Sequence, residues 1–374
     1  MASPTPAAAN PKKAQANPGN PGPGGGQAGA MAGTGANGAA GNARANMRRT
    51  SLLVFFVAAL LLLALLSLAV GSKHIEFAAV WQALLDPNDS ADHAIIRDSR
   101  FPRAVLGILA GSALGIAGAL VQSMTRNALA EPGILGVNAG ASLAIVIAVG
   151  TFGINGFNGY VWFAFGGAVL ATGAVYLVGM AGARSSDPVR LVLAGVALGA
   201  VLSGIGTALA LVHPSAFDQL RAWTIGSLEG RSADVLAPLG VAVLVGFVLA
   251  GFTGRSLNAL ALGDDTALAL GYKVGRARVL ILLAVTVLAG AATAAVGAIS
   301  FLGLMAPHLA RRFSGPDARW MLAYTAVLAP IILLLADVLG RVVIPGELEA
   351  GVVCAFVGAP VLILLARRKK PVAV

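Results

Sequence analysis

"MRRTSLLVFFVAALLLLALLSLAVGS", residues Met47–Ser72, sets two arginines in front of a long run of apolar side chains. A secretory signal has the same order of parts, but its apolar core is only about 7–15 residues long. The run Leu52–Val70 exceeds that and reaches the roughly 20 residues a helix needs to cross a hydrocarbon core of about 30 Å. No small-x-small cleavage site stands out behind it. The stretch reads as a first membrane span that is kept.

The same reading extends along the chain. Of its 374 residues 57% are hydrophobic and 11% charged, and the mean hydropathy is +0.83. A water-soluble domain carries about 25% charged residues. In lipid, backbone polar groups must be satisfied within the chain, so the spans are expected to be helices. After Leu52–Val70 they are expected at Pro102–Met124, Gly133–Phe152, Tyr160–Ala181, Pro188–Val212, Val235–Phe252 and Val279–Val296. A short one at Ile299–Arg311, then Trp320–Gly340 and Gly351–Ala366, complete the set. The expected fold is an all-α polytopic membrane protein of about ten transmembrane helices. Residues 1–50, rich in Ala, Gly, Pro and Asn, read as a disordered cytoplasmic tail, and 51–370 as the membrane domain.

The net charge of +10 does not signal nucleic acid, because Lys and Arg sit between spans and at the ends, with no basic stripe and no interleaved aromatics. With the N-terminus in the cytoplasm, most of the 26 Lys and Arg fall on the cytoplasmic side. Ten spans then return the C-terminus to that side. Cys354 is the one cysteine, which excludes an intrachain disulfide and a cysteine zinc site. His74, His93, His213 and His308 are scattered, none at metal-ligand spacing. No Ser-His-Asp set or H-E-x-x-H is visible, so catalysis is not expected. Gly107, Gly111 and Gly115 share one helix face, as do Gly136 with Gly140 and Gly195 with Gly199. Such small residues let helices in lipid approach closely.

One segment breaks the apolar pattern. "ALALGDDTALALGYKVGRAR", Ala259–Arg278, lies between two spans on the cytoplasmic side, within a loop at 257–278. Asp264 and Asp265 suit a helix N-terminus, and Gly271 stops that helix about two turns later. Apolar side chains beside charge on a short helix suit docking of another protein. A helix lying in the lipid interface is the alternative. Elsewhere, Asp337 stands inside an apolar span, where an unpaired acid costs about 2.5–3.5 kcal/mol. Arg341, four residues on, is its expected partner. A proton relay is the rival role for Asp337.

Six motifs in order resemble one family, the FecCD-type permeases of iron–siderophore and vitamin B12 importers. They are "RFPR" at Arg100–Arg103, "GALVQSMTRNALAEPGILGVNAGA" at Gly118–Ala141, "RAWTIGSLEGR" at Arg221–Arg231, "ALGDDTALALGYKVGRAR", "GAISFLGLMAPHLARRFSG" at Gly297–Gly315 and "PGELEAGVVCAFVGAP" at Pro345–Pro360. The resemblance implies a type II ABC importer permease, assembled as two permease chains, identical or different, with two ATPase subunits and an extracytoplasmic binding protein. This chain has no G-x-x-x-x-G-K-[ST], so ATP and magnesium belong to the ATPase and no cofactor is expected here. The resemblance places the ATPase contact at Gly263, Asp264, Asp265, Leu270 and Gly271. It places binding-protein docking at Arg100, Arg103 and Arg341, read as outward cations able to steer an acidic partner. It puts the cytoplasmic gate at Ser185, Ser186, Asp187 and Pro188. A ferric siderophore is the expected cargo, with vitamin B12 or haem as alternatives. An ion-coupled secondary transporter would need carboxylates at broken helices, for which Asp337 is the one candidate. A non-transporting scaffold would not need the charged loop. Glu349, where the family often has proline, and the long N-terminal tail depart from the family pattern.

Overall fold

The computed structural model describes residues 28–71, 73, 75–86, 88–154, 156–180, 188–344 and 346–367. By internal contacts the chain divides into Met1–Arg48 and Arg49–Val374. The first unit contributes the start of α1 (Ala28–Ala69), so a helix occupies 28–50, where a disordered tail was expected. Alanine is the best helix former, and extending an existing helix avoids the cost of a new nucleus.

The second unit is helical, with no strand among the described residues. After α1 come α2 (Phe77–Leu85), α3 (Ala91–Ala94) and a π-helical turn Ile95–Arg100 that leads into α4 (Phe101–Thr125). Then follow α5 (Val137–Gly150), α6 (Phe157–Met180), α7 (Pro188–Val212) and α8 (Pro214–Ile225). The rest are α9 (Leu236–Ala261), α10 (Asp264–Ala269), α11 (Val274–Val296), α12 (Leu302–Ser314), α13 (Ala318–Val343) and α14 (Ala350–Ala366). Among the described residues seven helical segments are long and apolar enough to cross a membrane: those of α1, α4, α6, α7, α9, α11 and α13. The other three expected spans correspond to shorter helices, α5, α12 and α14.

Helix α4 is the core, packed by α9, α11, α12 and α13. Its glycines explain how. A Cβ at Gly111 would stand 2.6 Å from the Pro330 Cα of α13, and one at Gly118 would collide with the Gly303 carbonyl of α12. Without hydrophobic pressure between helices in lipid, such close backbone contact supplies the packing energy. α1 lies against this core through Leu60 and Leu63, which meet Leu334, and through Phe56, set edge-on to Phe313 and Tyr324. Its other face exposes Val54, Phe55, Leu61 and Leu62.

Two breaks shorten α5 and α12. α4 ends at left-handed Arg126, and the chain re-enters through a 3-10 turn, Pro132–Leu135. α12 starts after left-handed Phe301. The breaks are stitched together: the Glu131 carboxylate accepts the Phe301 N–H at 2.9 Å. Gln122 Nε2 donates to the Gly303 and Leu304 carbonyls at 3.2 and 3.3 Å, and its Oε1 accepts from Arg311 at 3.0 Å. Irregular backbone is tolerated in a membrane bundle where protein surrounds it.

Candidate docking sites at the two ends of the helix bundle

At the Phe101 end of α4 lies a buried charge network. Arg100 and Arg103 are three residues apart on one face, and Pro102 fits the first turn, where its missing N–H costs nothing. Arg103 donates from Nε to Asp337 Oδ1 at 3.0 Å and from Nη1 to Glu347 Oε2 at 3.0 Å. Asp337 is fully buried, and its other oxygen takes Arg341 Nε at 3.1 Å and also the Arg341 Nη2. One carboxylate thus bridges two guanidinium groups.

The remaining donors of these arginines end α1. Arg341 Nη1 donates to the carbonyls of Ser67 and Val70 at 2.9 and 3.1 Å, and Nη2 to Ser67 Oγ at 2.8 Å. Arg100 Nη1 donates to the Leu68 and Ala69 carbonyls at 2.7 and 2.8 Å, and its Nη2 to that of Lys73. The last carbonyls of a helix have no internal partner and carry its negative dipole end, so two cations suit them. The three arginines expected to face outward are therefore buried and occupied. The reason lies in the packing: Arg100 and Arg341 take the carbonyls of Ser67, Leu68 and Ala69 where α1 ends, and Arg103 takes Asp337 and Glu347. Ser67, Glu347 and the link from Arg103 to Asp337 were invisible in sequence, because their positions meet only in three dimensions. Glu347 is the one partly exposed acid of the network.

At the Thr125 end of α4 the charged loop forms the short helix α10. Gly263 and Gly271 bound it with φ of 106° and 82°, which L side chains adopt only with strain. Its two aspartates separate in role. Asp264 turns inward, its Oδ2 2.7 Å from Arg278 Nη2 of α11 and its Oδ1 paired with Arg126 after α4. Asp265 is exposed. Leu262, Leu268 and Leu270 are exposed by 63%, 58% and 58%, while Ala267 is the buried anchor. The Arg126 contact gave no sequence signal. Of the gate positions, Ser185, Ser186 and Asp187 lie outside the described residues, and Pro188 begins α7.

Arg231 stacks over the Phe157 ring, 4.5 Å from its centroid, and burial pulls its guanidinium below the usual arginine range. Cys354 is buried and free. No metal-ligating group of three or more His, Cys, Asp or Glu occurs among the described residues.

A many-helix membrane bundle with a glycine-packed central helix and a charged, leucine-edged helix at one end is the architecture of a membrane permease subunit. The FecCD transport family model matches residues 59–368, and the chain belongs to that family. It is 50% identical over 304 residues to the ferric enterobactin transport system permease protein FepD of Escherichia coli strain K12, covering 81% of this chain and 91% of that one. It is 38% identical over 303 residues to the probable siderophore transport system permease protein YfiZ of Bacillus subtilis strain 168, covering 81% and 91%. Among solved structures it resembles one described as an inward-facing metal-chelate type ABC transporter. The TM-score is 0.73 at 24% identity, covering 86% of this chain and 99% of that one, which shows a shared fold.

Proposed function

We propose that this chain is the membrane-spanning permease subunit of an ATP-driven importer that carries a ferric siderophore across the bacterial inner membrane. The observation that carries the reading is the 50% identity to a ferric enterobactin permease across nearly all of that protein. Other relatives are named for iron(3+)-hydroxamate and iron(3+)-citrate import. Vitamin B12 or haem remains the second cargo reading.

In this reading the chain has ten spans, with the short helices α5, α12 and α14 crossing beside the seven long ones, and both termini are cytoplasmic. The exposed edge of α10, with Asp265 beside Leu268 and Leu270, meets a separate ATPase subunit. Asp264 fastens α10 to α4 and α11, so a push on that edge reaches the core helix. ATP and magnesium are held by that partner, and this chain performs no catalysis. A second permease chain completes the pathway, and an extracytoplasmic binding protein delivers the cargo at the Arg103 end. There the partly exposed Glu347 covers Arg103, and an acidic residue of the partner reaches that guanidinium only by displacing Glu347.

The test is uptake of iron-55-labelled siderophores by cells with and without the gene, with labelled vitamin B12 in parallel. Loss of siderophore uptake, restored by the gene, is expected. Loss of B12 uptake alone would keep the importer and overturn the cargo.

A further inference from the structure

A groove between α12, α13 and α14 belongs to neither docking site. It encloses a cavity of about 340 Å³. Met305 and Leu309 of α12, Ile332 of α13 and Val361 of α14 form apolar walls. His308 and Arg312 of α12 complete the lining. Residues 305, 308, 309 and 312 follow helical spacing, so one stripe of α12 passes from apolar to basic along the groove. Pro307 and Pro360 interrupt the backbone bonding of α12 and α14, the two helices that flank it.

Charge and position define the occupant. Arg312 is exposed and forms no ion pair with the described residues. Its neighbour Arg311 bonds to Gln122, one turn before Arg126, so Arg312 stands at the α10 end of the bundle. Asp317, the acid that follows, is engaged by Asn258 and by the Arg319 N–H in the first turn of α13. The walls reject polar ligands, while the basic end needs an anion. Leu309, Val357 and Leu364 are exposed along the groove, so it opens to the side of a membrane-embedded bundle. Basic pockets between membrane helices bind anionic lipid head groups, and the guanidinium fork matches two phosphate oxygens.

We infer that this groove binds one anionic glycerophospholipid, its acyl chain against Leu309 and Ile332 and its phosphate on the Arg312 guanidinium. The site is independent of the cargo. It makes the lipid a wedge between α12, whose far end is stitched to the core helix, and α14.

Native mass spectrometry of the delipidated full-length chain tests this, with added phosphatidylglycerol or phosphatidylcholine of the same acyl chains. The wild-type chain is expected to retain one phosphatidylglycerol more than Arg312→Gln does, with about fivefold preference over phosphatidylcholine. Arg312→Lys should keep part of the preference, and Leu309→Trp, which fills the groove, should lose that lipid whatever its head group. Equal retention of both lipids by the wild type, or an unchanged preference in Arg312→Gln, would overturn the site. So would a disulfide between two copies carrying Val357→Cys and Cys354→Ala in native membranes, since a second copy would then cover the groove.

Discussion

Arg103 Nη2 stands 2.8 Å from Asp337 Oδ1, so the first turn of α4 and the end of α13 share an ion pair across 234 positions of sequence. Asp337 also holds Arg341, and Arg341 in turn holds the end of α1. Three helices thus meet on one carboxylate.

Removing that carboxylate leaves Arg341 with no ion pair and Arg103 with Glu347 alone. Asp337→Asn keeps the shape and is expected to cost about 3–5 kcal/mol, the usual penalty for breaking a buried pair. Thermal unfolding of the purified chain reads it. Arg103→Gln combined with Asp337→Asn should cost less than the sum of the two single changes. Strict additivity would mean that the two side chains do not interact.

The two aspartates of α10 should behave differently. Asp265→Lys alters an exposed site and should leave stability within about 0.5 kcal/mol while weakening co-purification of the ATPase and uncoupling hydrolysis from uptake. Asp264→Asn should instead loosen α10 itself, read as faster proteolysis at Gly263 or Gly271. If Asp265→Lys transports normally with its ATPase bound, the exposed edge is not the docking surface.

Gly118→Ala places a methyl group against the Gly303 carbonyl, where only backbone movement makes room. A cost of about 1–3 kcal/mol is expected from such overpacking. Gly166→Ala, with open space at the Cβ position, is the control and should be near neutral. Equal melting temperatures for the two variants would contradict the contact between α4 and α12.

Asp317 predicts an acid limit. Burial pushes its carboxyl up, but Asn258, the Arg319 N–H and the nearby arginines outweigh that and hold it below the ordinary value of 3.8. The folded state therefore binds the proton less readily than the unfolded one. The stabilisation is complete above about pH 4 and drains away as pH falls through the folded pKa. Asp317→Asn, still able to cap α13, should lose this part of the acid sensitivity in unfolding measured between pH 5 and pH 3.

Much of the fold was legible in the chain because hydrocarbon enforces a simple rule. A run such as Leu52–Val70 must become a helix, and Gly107, Gly111 and Gly115 at four-residue spacing must face a close neighbour. Gly263 and Gly271 likewise marked the ends of α10, since the glycine requirement there is local. Other features depend on which helix arrives beside which. Sequence showed Asp337 near Arg341 but could not bring Arg103 or Ser67 to them, and so it left three arginines facing outward. Asp264 and Asp265 are chemically identical neighbours, and only the positions of Arg126 and Arg278 turn one inward and leave the other exposed. Hydropathy and spacing are properties of a segment, whereas the partner of a buried charge is a property of the packed bundle, where the cost of leaving it alone selects the arrangement.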